Sequence, residues 1–254
     1  VSITNQSSTA AFLASQGSTS INVAYTSPRA AGYIAVLLAA VKESAAVFDA
    51  VSGFEFIGSR AGGEGTAGDD VGTTRLAAWY RILDGTESGS VNVTNDIGVS
   101  AAGAMSIYAP TDGRRFITPP VALAGSDDTH AADWNPTGFG TWPSALAPGD
   151  MVLAPFSADT DVLQSISARS LTQTGMTFGT PANNVFRIRS LSDTGFDCGL
   201  YMFDWFASAG SSANEPAYTH TTGTANCGAM LLIRLREEDV AGRTTMLRPA
   251  VVAP

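Results

Sequence analysis

Leu76-Ala77-Ala78-Trp79-Tyr80-Arg81-Ile82-Leu83 runs into Asp84-Gly85-Thr86-Glu87-Ser88-Gly89 and then into Ser90-Val91-Asn92-Val93-Thr94. Ala78, Tyr80 and Ile82 alternate with Ala77, Trp79 and Arg81, and the two valines stand two apart, the period of a β-strand with one exposed face. A Gly/Asp turn between two such runs predicts antiparallel strands. Within the turn, Glu87 can accept backbone N–H bonds and Asp84 suits the first turn position. Working outward, Ile21–Tyr25, Tyr33–Ala40, Phe54–Ile57 and Ala104–Ala109 are apolar runs of strand length bounded by Gly, Ser, Asp, Asn or Pro. Helix competes only over Tyr33–Val51, where Ala39, Ala40, Lys42, Glu43, Ala45 and Ala46 favour it. A strand running into a short helix or loop near Lys42 reconciles the two.

The chain has 254 residues, with 14 Lys+Arg against 23 Asp+Glu, a formal charge of −9 and a pI of about 4.5. The acidic residues are scattered, and clustered positive charge, which nucleic acids and anionic membranes require, is missing. Only 15% of residues are charged and 44% are hydrophobic, enough apolar material for a packed core. The longest apolar run, Tyr33–Val41, is short of the roughly 20 residues of a membrane helix, and the first residues do not read as a signal peptide. A soluble protein without membrane insertion is the expectation. Cys198 and Cys227 lack C-x-x-C spacing and read as two reduced, buried thiols.

Internal similarity adds a second level. Gly103-Ala104-Met105 recurs as Gly228-Ala229-Met230, and Trp79-Tyr80 as Trp205-Phe206. Gly53-Phe54-Glu55-Phe56 matches Gly175-Met176-Thr177-Phe178, and Gly32-Tyr33-Ile34-Ala35-Val36 matches Gly149-Asp150-Met151-Val152-Leu153. Four anchors in one order predict a duplication. In it Trp79 and Trp205 are equivalent core anchors, and a bulge or a turn one residue longer between Trp205 and Gly228 restores register. The expected fold is an all-β antiparallel β-sandwich, jelly-roll-like, built from two sequence repeats with extended terminal arms. Residues 1–28 are the N-terminal arm and first strand, 29–109 the first repeat, 110–145 a Pro/Asp-rich linker, 146–236 the second repeat and 237–254 the C-terminal arm. Arms that cannot bury themselves predict contact with neighbouring subunits.

The Leu76–Thr94 segment, the Gly-apolar strand opening each half and the closing strand before Arg236 resemble structural proteins of tailed-bacteriophage virions, of the tail, minor tail or capsid-decoration type. The similarity covers most of residues 29–236. In that family the strand after the first loop often begins Pro-x-Gly-Trp, where this chain has Val51-Ser52-Gly53-Phe54 and Gln173-Thr174-Gly175-Met176. The resemblance implies a β-sandwich on the outside of a virion, made in the host cytoplasm. Its partners would be copies of itself and other virion proteins, and it implies no catalytic residues and no cofactor.

The one strongly polar cluster, Ser126–Asn135, holds Asp127, Asp128, His130, Asp133 and Trp134. Such a set could ligate a hard cation, or bind or cleave a glycan stacked on Trp134 or Trp142. It matches no calcium-loop or zinc spacing, and a loop whose Asp and Asn cap turns explains it equally well. No metal is expected. Asp127, Asp128, His130, Trp134 and Trp142 are the candidate binding residues, with a host-surface glycan as the alternative partner. That alternative requires the two indoles to be exposed around a shared groove. His220 reads as a structural or surface histidine, and the Gly-rich run 61–70 as a loop without the Lys-Ser/Thr of a phosphate cradle.

Overall fold

The computed structural model describes residues 2–12, 19–63, 66–67, 70–71, 73–97, 100–158, 166–181, 186–190 and 198–240, with 12, 66–67, 70–71, 130, 186–190 and 223–227 as backbone. Every regular element among them is a strand, and every pairing is antiparallel.

The first sheet contains β1 (Thr4–Phe12), β3 (Ile34–Val41), β4 (Glu55–Gly62), β7 (Thr74–Ile82) and β9 (Ala101–Ala109), in the spatial order β1-β9-β3-β7-β4. The second contains β11 (Val121–Trp134), β12 (Met151–Ala158), β14 (Met176–Phe178), β16 (Cys198–Gly210) and β17 (Ala217–Leu235), in the order β11-β17-β12-β16-β14. There β13 (Ser167–Thr172) joins β17 and β15 (Phe186–Ser190) joins β16. Three two-stranded ribbons complete the fold: β2 (Ser20–Ala24) with β8 (Ser90–Thr94), β5 (Thr66–Ala67) with β6 (Asp70–Val71), and β10 (Arg114–Phe116) with β18 (Glu237–Asp239). Numbered by position in its own half, each five-strand path runs first, fifth, second, fourth, third.

The sheets stack face to face, with β4 on β11, β7 on β17, β3 on β12, β9 on β16 and β1 on β15. Between them lies one apolar layer, which includes Ile34, Val36, Leu38, Tyr80 and Tyr108 from the first sheet and Leu153, Leu200, Met202, Leu231 and Ile233 from the second. Each sheet carries a further apolar layer on its outer face. Trp79, Leu37 and Met105 meet Ile21, Val23, Val91 and Val93 on one side; Trp205, Phe156 and Phe203 meet Trp134, Trp142, Leu146 and Tyr218 on the other. Consequently β3, β9 and β12 are buried at every residue. The one-exposed-face alternation expected of Leu76–Leu83 gives way to a strand core buried on both sides, whereas β8 keeps the alternation, Val91 and Val93 in and Asn92 out.

Several sequence expectations change. Thr4–Phe12, read as an arm reaching a neighbour, pairs along β9 of its own chain. Val121–Trp134, read as linker, is a strand of the second sheet. Both are Ser/Thr- or Asp-containing edge strands, where a half-solvated position does not enforce hydrophobic alternation. β18 pairs with β10, while residues 241–254 of the expected C-terminal arm lie outside the described residues. Tyr33–Val51 resolves as β3 followed by a turn closed by the Ala46 N–H on the Glu43 carbonyl.

Trp79 and Trp205 are each 2% exposed and lie on the outward faces of different sheets. Their registers differ. Trp79 stands in a row with Leu37 and Met105, Trp205 in a row with Val152 and Arg234. Gly103 is thus two residues from its row and Gly228 six from its own, so the Gly-Ala-Met and Trp anchors are offset by four. A one-residue bulge cannot absorb that. An even offset does keep every side chain on its face.

Backbone approaches closely where β4 crosses β17 and where β17 runs beside β12. A Cβ on Gly62 would lie 2.5 Å from the Gly228 carbonyl oxygen, and one on Gly228 would lie 2.0 Å from the Ser157 carbonyl oxygen. Beside them Thr74 and Ser157 share a buried hydroxyl–hydroxyl bond of 2.8 Å. Gly228→Ala is therefore expected to cost about 1–3 kcal/mol in urea unfolding. Gly179→Ala, whose Cβ would meet only the Phe206 carbonyl oxygen at 3.9 Å, should stay within about 0.5 kcal/mol of the parent.

Candidate functional site

The polar cluster lies where β11 loses register between Asp127 and Ala131. Asp127, 4% exposed, accepts the Thr129 N–H at 2.9 Å, the Thr129 hydroxyl at 2.6 Å and the Asn135 N–H at 2.6 Å. Its carboxylate closes the irregular stretch of the strand. Asp128 accepts the Gly63 N–H at 2.9 Å and ties the end of β4 to β11, while Asp133 accepts the Thr221 hydroxyl at 2.9 Å. The side chain of His130 lies outside the described residues. Among those described, no group of three or more His, Cys, Asp or Glu is placed to hold a metal ion.

Neither tryptophan borders a groove. Trp134 is 0% exposed, its ring 4.6 Å from Phe156 and 4.8 Å from His220 by centroids, with Tyr218 edge-on at 6.3 Å. Trp142 is buried and donates its indole N–H to Gln173 Oε1 at 3.1 Å, and Gln173 in turn donates to the Ser212 carbonyl at 2.9 Å. The two indoles belong to the layer covering the second sheet, which removes the shared exposed groove that the glycan alternative required at Asp127, Asp128, Trp134 and Trp142.

Two buried groups lie outside the candidate set: His220, read from the sequence as structural or surface, and an ion pair that the sequence reading did not single out. His220 is 2% exposed amid Trp134, Phe156 and Tyr218, with Nδ1 3.1 Å from the Tyr218 hydroxyl and Nε2 without a partner. Burial, assisted by the Arg169 charge, lowers its pKa to about 3, and burial raises that of Tyr218. Arg169 sits 4.5 Å above the Phe203 ring. The second group is the buried pair Arg234–Asp150. Arg234 Nε donates to Asp150 Oδ2 at 2.8 Å, and its other nitrogens bond the Ser144 carbonyl at 2.8 Å and the Ala145 carbonyl at 2.7 Å. Asp150 Oδ2 also accepts the Ala147 N–H at 2.8 Å. The signal was a lone Arg in the apolar run Met230–Leu235, opposite a strand that opens Gly149-Asp150.

The turn from β7 to β8, read from the sequence as a hairpin, instead joins strands that pair with different partners, β7 with β3 and β4 and β8 with β2. In it Glu87 accepts the Asp84 N–H at 2.9 Å and the Gly85 N–H at 3.1 Å, and pairs with Arg81 at 3.3 Å. Asp84 accepts the Thr86 hydroxyl and N–H, which hold its carboxyl below the usual range. Cys198 is fully buried, its Sγ 3.9 Å from the Gly199 carbonyl oxygen. It should resist alkylation in the native protein and react fully once denatured without reductant; a bridged species by mass spectrometry would contradict this. The side chain of Cys227 lies outside the described residues.

Fold and polar groups together define an antiparallel all-β protein of two stacked sheets in which the Asp127 and Asp128 carboxylates hold backbone N–H groups. Comparison with family models, curated proteins and solved structures gives no match.

Proposed function

We propose that this chain is a non-catalytic structural protein displayed on the outside of a tailed-phage virion, on tail, fibre or capsid, acting in assembly, stabilisation or host attachment. The resemblance over residues 29–236 motivates the reading. The observation that carries it is architectural: two five-strand paths of identical order stack so that the third strand of one faces the first of the other, the fourth faces the fifth, and the second faces the second. This approximates a two-fold pair, with one departure: β1 faces β15 where the two-fold would place β14. It supports descent from a duplicated single-sheet unit whose isologous contact became the central layer, with β1 and β11 as the opening strands of the two units. Jelly-roll-like connectivity belongs to the same reading. A fold held by three stacked apolar layers suits a module that bears load.

The test is cryo-EM of intact particles from cells that produce the chain, with sedimentation of the purified protein. The expected result is density for this fold on the particle surface and a purified chain that self-associates. Deleting residues 241–254 should reduce association without lowering Tm. Particles lacking the chain, together with a purified monomer at every concentration, would overturn the reading.

A further inference from the structure

One end of the first sheet carries a trough that neither the assembly reading nor the polar cluster of β11 uses. Two hollows of about 410 and 370 Å³ run together there, sharing Ile82 and Thr118 as lining. Each is within the roughly 300–1,000 Å³ range of small-ligand sites. Ile82, 41% exposed, is one of the few large apolar side chains open to solvent, and it is flanked by hydrogen-bonding groups. The Tyr80 hydroxyl donates to the Glu55 carboxylate, Arg81 pairs with Glu87 at 3.3 Å, and across the trough Arg115 donates to Glu238 at 2.7 Å.

This pattern of charge selects the ligand. Each guanidinium already has a carboxylate partner, Arg81 in Glu87 and Asp84 and Arg115 in Glu238, while Glu55 is bonded by the neutral Tyr80 hydroxyl, so carboxylates outnumber guanidiniums and the trough disfavours an anion. Hydrogen-bonding capacity remains. A guanidinium has five N–H donors and a carboxylate about four acceptor positions, more than one partner uses. An apolar spot edged by such groups complements a molecule with a C–H face and a rim of hydroxyls. We propose that this trough binds a neutral glycan, a sugar ring resting on Ile82 with its hydroxyls meeting Glu55, Arg81 and Thr118. The proposal stands apart from assembly, since a monomer that binds sugar would sink the one and keep the other.

The test titrates the full chain, by calorimetry and by saturation-transfer NMR, with maltohexaose, chitotetraose and a galactose-based oligosaccharide, and in parallel with sialyllactose and a heparin hexasaccharide. Ile82→Asp and Glu55→Ala alter exposed side chains, and their Tm should match the parent. Binding of a neutral sugar, weakened about tenfold or more in each variant, with the anionic sugars weaker throughout, is the expected result. Three outcomes would overturn the proposal: no neutral sugar bound, unchanged affinity in both variants, or preference for the anionic probes.

Discussion

Asp150→Ala is expected to remove about 3–5 kcal/mol of folding stability, because it leaves the Arg234 guanidinium buried without its counter-charge. Arg234 is 3% exposed in the middle of an apolar strand, and Asp150 is 7% exposed at the opening of β12. Burial pushes the Asp150 carboxyl above its ordinary range and the Arg234 guanidinium below its own, each against the pull of the other. Desolvation thus opposes both charges, and the pair holds through geometry: Arg234 bonds Asp150 and the carbonyls of Ser144 and Ala145, fixing the chain that leads into β12. Arg234→Met should be comparably damaging, since Asp150 then keeps only the Ala147 N–H. The double variant Asp150→Leu/Arg234→Met should recover part of the loss, as apolar replacements of buried pairs commonly do. Recovery stays incomplete because the Ser144 and Ala145 carbonyls lose their donor, at about 1–3 kcal/mol for an unmet buried group. Urea unfolding of the parent and the three variants makes the comparison. A single-variant loss under about 1 kcal/mol, the scale of an exposed pair, would show that the two charges are not coupled in a buried setting.

How far the sequence carried depended on burial. Strands flanked by apolar layers were legible: Ile34–Val41, Thr74–Ile82 and Ala101–Ala109 overlap the apolar runs read from residues alone, because an interior strand must be apolar throughout. Edge strands were not. Thr4–Phe12 satisfies its backbone along β9 while the side chains of residues 4–11 are exposed or half-buried, so neither period nor hydrophobicity marks it. Val121–Trp134 was hidden by Pro119-Pro120 before it and by Asp127, whose carboxylate looked like site chemistry and instead closes a local register shift.

Trp134 and Trp142 were misleading for a different reason. A segment between two prolines and a Gly-rich turn reads as loop, and loop aromatics suggest contact with a ligand. The second sheet, however, has an outer face built from Phe156, Phe203 and Trp205 that water would otherwise reach, and residues 134–146 supply its cover. Which partner a cover segment meets is a tertiary fact with no local signature. The buried ion pair has the same origin, since Arg234 was conspicuous in its strand while its partner stands 84 residues away.

Acid should loosen this same layer through His220. Its pKa falls from 6.5 in the unfolded chain to about 3 in the folded one, because burial among Trp134, Phe156 and Tyr218 disfavours the imidazolium and the Arg169 charge repels it. Above pH 6.5 both states hold neutral histidine and the effect vanishes. As pH falls below 6.5 only the unfolded chain takes up the proton, so stability drops by about 1.4 kcal/mol per pH unit, accumulating to roughly 4–5 kcal/mol near pH 3. The Asp150 carboxyl, raised by burial, acts in the opposite sense at the acid end, since it binds its proton more readily when folded. Subtracting a His220→Phe variant isolates the histidine, because every other titratable group, Asp150 included, is common to both proteins. Phenylalanine keeps the ring contacts and removes the titration, leaving the Tyr218 hydroxyl without its partner as a constant, pH-independent cost. Urea unfolding at half-unit steps from pH 7.5 to 4 should therefore show the parent falling relative to the variant with a slope near that value. Parallel pH profiles for the two proteins would mean that His220 is solvated enough to protonate in place, and that the cover over the second sheet is open to water.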